Sequence, residues 1–465
     1  MKSPGRVIAV AAVTAATLGL LAGCSSSGGS SGSGSSGDKV TISVGSLPPG
    51  TAKAAFTAFD KRVKAFENKN PNITVHPEEY NWTATTFTTQ LAGGTLPDQF
   101  DVPFTDSQSL LQNGQIANIT SEVKALPYGN KLNKSLMAVA TSSKGDIYGL
   151  PYGPYAMGLS YNRKIFKEAG LNPNDPPTTW AEVAADAKTI SQKLPGVAGY
   201  MQMTNDATGG WELVTTTYSR GGRVEYRNSK GKTIVDTDNP ATVAALKWLH
   251  NLRWNDNAAG SNFLLNWDGI NQAFGAGQIA MFPSGSDVLT SLVQADNVKP
   301  SDYGLTTLPV TGKDSGALTG GTVEVVSPKA TKAQQEAAVK WIDFYYMQPL
   351  FNKSQAISNA TTLLASNQPV GVPSLPVFNK ATYEQTLSWI KPQMNVPQSN
   401  VAPFNNKIFS QTVIPEPNID TQALYSALDP VVQAVLTNQN ADIPALLKAV
   451  DQKMQPTITK DDTKE

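Results

Sequence analysis

The chain has 465 residues, 40% of them hydrophobic and 16% charged, with 37 Lys plus Arg against 37 Asp plus Glu. That balance excludes the surplus of basic charge by which proteins hold nucleic acid or anionic lipid surfaces. A lone cysteine, Cys24, and two histidines, His76 and His250, exclude an internal disulfide framework, and no His-Glu-x-x-His or Cys-x-x-Cys spacing offers a zinc site.

In chain order, Lys2 and Arg6 precede an apolar run from Val7 to Leu21. At about 15 residues the run falls short of the roughly 20 that a spanning helix needs, and it reads as a secretory signal. Leu21-Ala22-Gly23-Cys24 resembles a bacterial lipobox, so residues 1–23 are expected to be a lipoprotein signal peptide and Cys24 the lipidated residue. The rival reading is an ordinary signal peptide with an incidental cysteine. Ser25 to Gly37 contains only Ser and Gly, cannot pack a core, and makes 24–37 a flexible tether. Removal of Lys2 and Arg6 leaves 35 basic against 37 acidic residues. The 428 residues from Asp38 onward exceed what one core usually serves, so at least two lobes are expected.

Lys39 to Val44 alternates as a strand does, and Phe56, Phe59, Val63 and Phe66 recur at helical spacing through Ala52 to Asn68. This helix stops at Asn70-Pro71, Ile73-Thr74-Val75 reads as the next strand, and a polar helix after Trp82 runs through Leu91 to Gly93-Gly94. Gly170 ends a helix over Lys164 to Ala169. Thr179 and Glu182 form a capping box for a helix through about Gln192. Asn239, with Pro240 at the first helical position, opens another through about Arg253, and Ala333 to Met347 reads as a further helix. Interleaved strands and helices predict an α/β class, with no repeat period.

Short segments in order carry a family resemblance: Phe66 to Val75, Gly94-Thr95-Leu96-Pro97-Asp98, Gly114 to Thr120, Ile147-Tyr148-Gly149-Leu150-Pro151-Tyr152, Tyr161 to Leu171 with Pro177-Thr178-Thr179-Trp180, Phe274 to Met281, and Leu308-Pro309. On these the chain resembles the extracellular solute-binding proteins of ABC transporters, in the maltose- and oligosaccharide-binding group that includes many lipoproteins. The resemblance implies an α/β, two-lobe periplasmic-binding-protein fold, type II-like, whose lobes are joined by a hinge of several crossings with a ligand cleft between them. It puts the crossings near Tyr155 to Gly158, Gly312 to Gly320 and Ser366 to Val370. The N-lobe would be 38–155 plus 319–366 and the C-lobe 158–312 plus 370–465. Several strands crossing together would permit closure by bending.

A sugar site needs aromatic faces for C–H surfaces and carboxylates or amides for hydroxyls. Trp180, Trp248 and Trp341 sit at core spacing in helices. Trp82 and Trp211 lie in polar, poorly periodic segments, and each is read as a ligand contact or a packed residue; the resemblance implies cleft aromatics near Trp211. It also implies a hydroxyl-binding carboxylate near Asp106, for which a helix N-cap is the other reading. Tyr152 and Tyr155 flank the first crossing, and Gly320-Gly321 would admit close backbone approach or form a turn. Relatives often carry an aromatic where Asp287 stands, so that carboxylate would accept hydroxyl bonds or pair with a cationic solute. Trp267 would supply the missing ring or pack in the core. Trp389 and Asn400 to Phe404, in the poorly matched C-terminal part, are lesser candidates.

The expected role is a lipid-anchored substrate-binding subunit of an ABC importer, monomeric, carrying a sugar or oligosaccharide to a membrane permease from the outer face of the cell membrane, with a Gram-positive surface preferred over a periplasm. No cofactor, metal, nucleic acid or catalytic residue is expected. The alternatives are a non-carbohydrate solute such as a polyamine, phosphodiester or peptide-like compound, a secreted glycan-degrading enzyme, and a surface adhesin.

Overall fold

A computed structural model describes residues 39–83, 85–129, 131–417 and 419–462. The signal-peptide, Cys24 and Ser/Gly tether expectations lie outside the described residues. Ten strands are present among them: β1 (Val40–Gly45), β2 (Ile73–Glu78), β3 (Gln99–Pro103), β4 (Gly149–Asn162), β5 (Glu225–Arg227), β6 (Thr233–Val235), β7 (Met281–Gly285), β8 (Tyr303–Thr307), β9 (Ala317–Val326) and β10 (Val413–Pro415). Apart from the β5–β6 ribbon, they form one curled sheet in the order β2-β1-β3-β9-β4-β7, with β10 on β9 and β8 on β4. This is the α/β, two-lobe fold expected.

β4 joins the two parts of that sheet. Its first half pairs antiparallel with β9, ending at Ala156 opposite Thr319. From Met157 onward it pairs instead with β7 and, from Gly158, with β8. The change of partners falls within the first expected crossing, Tyr155 to Gly158. A register shift between Tyr152 and Tyr155 bends the strand just before it. β10 lies parallel to the first three residues of β9, which brings the distant C-terminal segment to the same place.

The local signals act as chemistry requires. Phe59, Val63 and Phe66 are buried on the helix Lys53–Lys69 against Trp341, which is itself fully enclosed. Thr179 and Glu182 close their capping box, and Asn239 accepts from the N–H groups of Ala241 and Thr242. Trp180 and Trp248 pack against each other with ring centroids 4.9 Å apart. Asn400 donates to the carbonyls of Ser301 and Tyr303, and Phe404 is fully buried, so both belong to the core.

Candidate functional site

A cavity of about 290 Å³ lies beside Tyr155, where β4 changes partners. That is the small end of ligand pockets, roughly 300–1,000 Å³. Strands line one side of it, with Asp101 and Pro103 from β3, Gly321 and Thr322 from the middle of β9, Gly285 at the end of β7 with Asp287 two residues beyond, and Glu416 directly after β10. Helices and a loop form its walls, bringing Trp82, Trp211, Trp267 and Tyr425.

The helix Thr208–Tyr218 holds Trp211 in its first turn. Asp429 fixes that turn by accepting from the Ala207 N–H at 2.7 Å and the Gly210 N–H at 2.9 Å. Trp211 meets Tyr155 edge to face at 6.0 Å and lies 6.2 Å from Trp267, so three rings make a continuous apolar wall. A neighbouring space of about 320 Å³, between the segment 48–51 and the helix Leu289–Asp296, shares Asn81, Trp267 and Asp268 with the first, so the two adjoin across Trp267.

The acids around this space are desolvated. Burial pushes Asp101 and Asp287 up to about 6, since each carboxyl is bonded only by its own backbone N–H. Asp106 also rises to about 6 through burial, against the opposing bond from Trp82. Burial raises Glu416 to about 8; the Tyr425 hydroxyl, donating to it at 3.1 Å, opposes this, and the Asp106 charge adds to it. The Tyr155 hydroxyl is pushed well above its ordinary value by burial, then by Glu416 and Asp287.

Of the residues named from sequence, Trp82, Tyr155, Trp211, Trp267, Asp287 and Gly321 line this one cavity. Gly320 stands just behind it, with the Tyr155 hydroxyl and the Glu416 carboxyl lying over the place where a Cβ would project. Asp106 is the third residue of the helix Phe104–Gln112, whose N-cap is Pro103, so the N-cap reading does not hold. Instead it accepts from the Trp82 indole N–H at 2.9 Å. Tyr152 is the one that stands apart. It packs against Tyr346 at 4.8 Å and lines a separate cavity of about 190 Å³ with Tyr345 and Tyr383. A register shift and Gly153, at a φ of +55°, lie between it and Tyr155, so the plain alternation of a strand does not relate the two side chains.

Sequence reasoning missed Asp101, Asp206, Glu416, Tyr425 and Gln422. The last donates to the Thr105 hydroxyl at 2.8 Å, tying the helix Thr421–Thr437 to Phe104–Gln112. The available signal was Pro415-Glu416-Pro417, an acid held between two prolines at a strand end.

The family model for bacterial extracellular solute-binding proteins matches residues 61–376. A maltooligosaccharide ABC transporter solute-binding lipoprotein of Streptococcus pneumoniae is 26% identical over 268 residues, 54% of this chain and 56% of that protein. The chain thus spans just over half the length of this curated relative. A lactose-binding protein of Rhizobium radiobacter is 26% identical over 340 residues, 69% of this chain and 74% of that protein. In fold, the chain is similar to an ABC substrate-binding protein of Listeria monocytogenes solved with cycloalternan, at a TM-score of 0.68 and 21% identity, over 90% of this chain and 99% of that one. Among the described residues no helix is long and apolar enough to cross a membrane. With two thirds of its length under the family model, the chain belongs to the bacterial extracellular solute-binding proteins.

Proposed function

We propose that this protein is the substrate-binding subunit of an ABC importer, capturing an extracellular sugar or oligosaccharide and delivering it to a membrane permease. The observation that carries the reading is the wall formed by Tyr155, Trp211 and Trp267 with carboxyls lining the same cavity, aromatic faces for sugar rings beside acceptors for their hydroxyls. The adjoining space across Trp267 favours more than one ring. The site residues are Trp82, Tyr155, Trp211, Trp267 and Asp287, with Asp106, Gly320 and Gly321 supporting them; Tyr152 is left out because it faces another cavity.

The lobes, 38–155 plus 319–366 and 158–312 plus 370–465, close over the solute, and closure is what the permease reads. Ligand drives that closure only through its extra affinity for the closed form. The protein acts as a monomer, returns its ligand unchanged rather than cleaving it, and is held by lipid at Cys24 to the outer face of the cell membrane.

A thermal-shift screen of the protein against sugars and oligosaccharides tests this, because ligand at 100 times its dissociation constant adds about 2.7 kcal/mol to the folded state. A saturable rise with one saccharide series supports the role; silence across all saccharides sinks it.

A further inference from the structure

Five carboxyl side chains line the cavity, Asp101, Asp206, Asp268, Asp287 and Glu416, and among the described lining residues there is neither lysine nor arginine. The charge of that lining is one-sided: neutral donors such as Asn81, Asn266, Thr208 and Gln422 suit sugar hydroxyls, but nothing cationic answers the acids. Hydroxyls both donate and accept, so a site for them gains from donors and acceptors together, whereas ionised carboxylates only accept. Asp268 is exposed, but gathering the other four carboxyls in a partly enclosed space without a counter-ion is costly. Little nearby offsets the cost: Glu416 accepts from the Tyr425 hydroxyl, but no side chain bonds the carboxyls of Asp101 or Asp287, and one oxygen of Asp206 is buried without a partner.

The rings are open in the same sense. Arginines lie over Trp180, Trp248 and Trp254 elsewhere in the protein, but among the described residues no cation covers Tyr155, Trp211 or Trp267. An indole face beside an unpaired carboxylate is an environment that attracts an organic ammonium group. A bound metal ion does not answer the charge, since no three acids among the described residues are arranged to hold one.

We propose that the solute is a saccharide bearing protonated amino groups, an amino-sugar oligomer whose ammonium groups meet Asp287 and Asp101 while its ring faces lie on Trp211 and Trp267. This deepens, and rests on, the reading of the protein as a saccharide-binding importer subunit. The aromatic faces favour a pyranose over a linear polyamine, and the acids disfavour any anionic solute. Burial holds Asp101 and Asp287 up to about 6 in the ligand-free protein, and an arriving ammonium ion would favour their ionised forms.

Titration calorimetry on the full chain tests the proposal with four probes: a glucosamine trimer, its N-acetylated counterpart, maltotriose and spermidine. The glucosamine trimer should bind at least about tenfold tighter than its N-acetylated counterpart. Its affinity should rise from pH about 5 to about 6.5 as the acids ionise and before the amines lose their protons, while maltotriose binding stays flat. Asp287→Asn should remove most of the preference for the amine, and the wild-type comparison stands even where that variant folds poorly. Equal or tighter binding of maltotriose or of the N-acetylated trimer overturns the inference and leaves the saccharide importer standing. Binding of spermidine alone, or of none of the four, overturns the inference, while the importer reading is decided by the wider saccharide screen.

Discussion

Trp211 meets Tyr155 edge to face, centroids 6.0 Å apart and planes at 86°, and Tyr155 lies on the strand that links the two parts of the sheet. The same indole packs against Trp267 and against two hydrophobic clusters, one built around Tyr200 and Tyr425 and one around Phe274 and Phe282. Trp211→Ala therefore removes a wall of the cavity and packing together. Ligand affinity should fall by about tenfold or more, and stability by roughly 1–3 kcal/mol, less than for a fully buried ring. An unchanged dissociation constant in calorimetry would take Trp211 out of the site.

Asp429 accepts from two backbone N–H groups at the start of the helix that carries Trp211. Asp429→Ala leaves both donors buried without a partner, and should cost about 2–3 kcal/mol in denaturant unfolding while also weakening ligand binding. Loss of stability with affinity intact would mean that the turn does not position the indole.

Gly320 admits the Tyr155 hydroxyl, which would lie 2.4 Å from an added Cβ, and Glu416, at 2.7 Å. Gly320→Ala should displace Tyr155 and lower both thermal stability and affinity. Because the clash is with that hydroxyl in part, Gly320→Ala combined with Tyr155→Phe should cost less than the two changes added, by about 0.5–1 kcal/mol. Strict additivity would contradict the contact.

The buried acids set a pH dependence for the ligand-free protein. Folding raises Asp287 from 3.8 to about 6 and Glu416 from 4.5 to about 8. Below the unfolded values both states hold the proton; above them the unfolded chain releases it first. The stabilisation is complete in acid and is lost as pH rises through about 6 and then about 8. The melting temperature should fall across that window, and Asp287→Asn should remove a share of about 1–2 kcal/mol, discounted because the carboxyl is only partly enclosed. A melting temperature that stays level from pH 5 to 8 in both proteins would refute the linkage.

Helix starts were legible at Thr179 with Glu182 and at Asn239 with Pro240, while the capping box of Thr331 and Gln334 went unread. Trp211 was misplaced into an irregular segment because Thr208-Gly209-Gly210 has poor helix propensity. Tertiary packing overrides it: a Cβ on Gly210 would sit 2.2 Å from the Tyr425 carbonyl oxygen, so glycine lets the helix Thr421–Thr437 approach. The aromatic half of the site was visible because tryptophans are rare. Asp101 and Glu416 were not, since they are ordinary acids in distant segments that only the pairing of β3 and β10 with β9 brings together.

The measurement that tests the central claim most directly is a crystal structure of the protein with the saccharide that gives the largest thermal shift. The ligand should lie against Trp211 and Trp267, with a hydroxyl or amine within hydrogen-bond distance of Asp287. Density for the saccharide in the separate cavity beside Tyr152 and Tyr383, with the Trp211 wall bare, would contradict it.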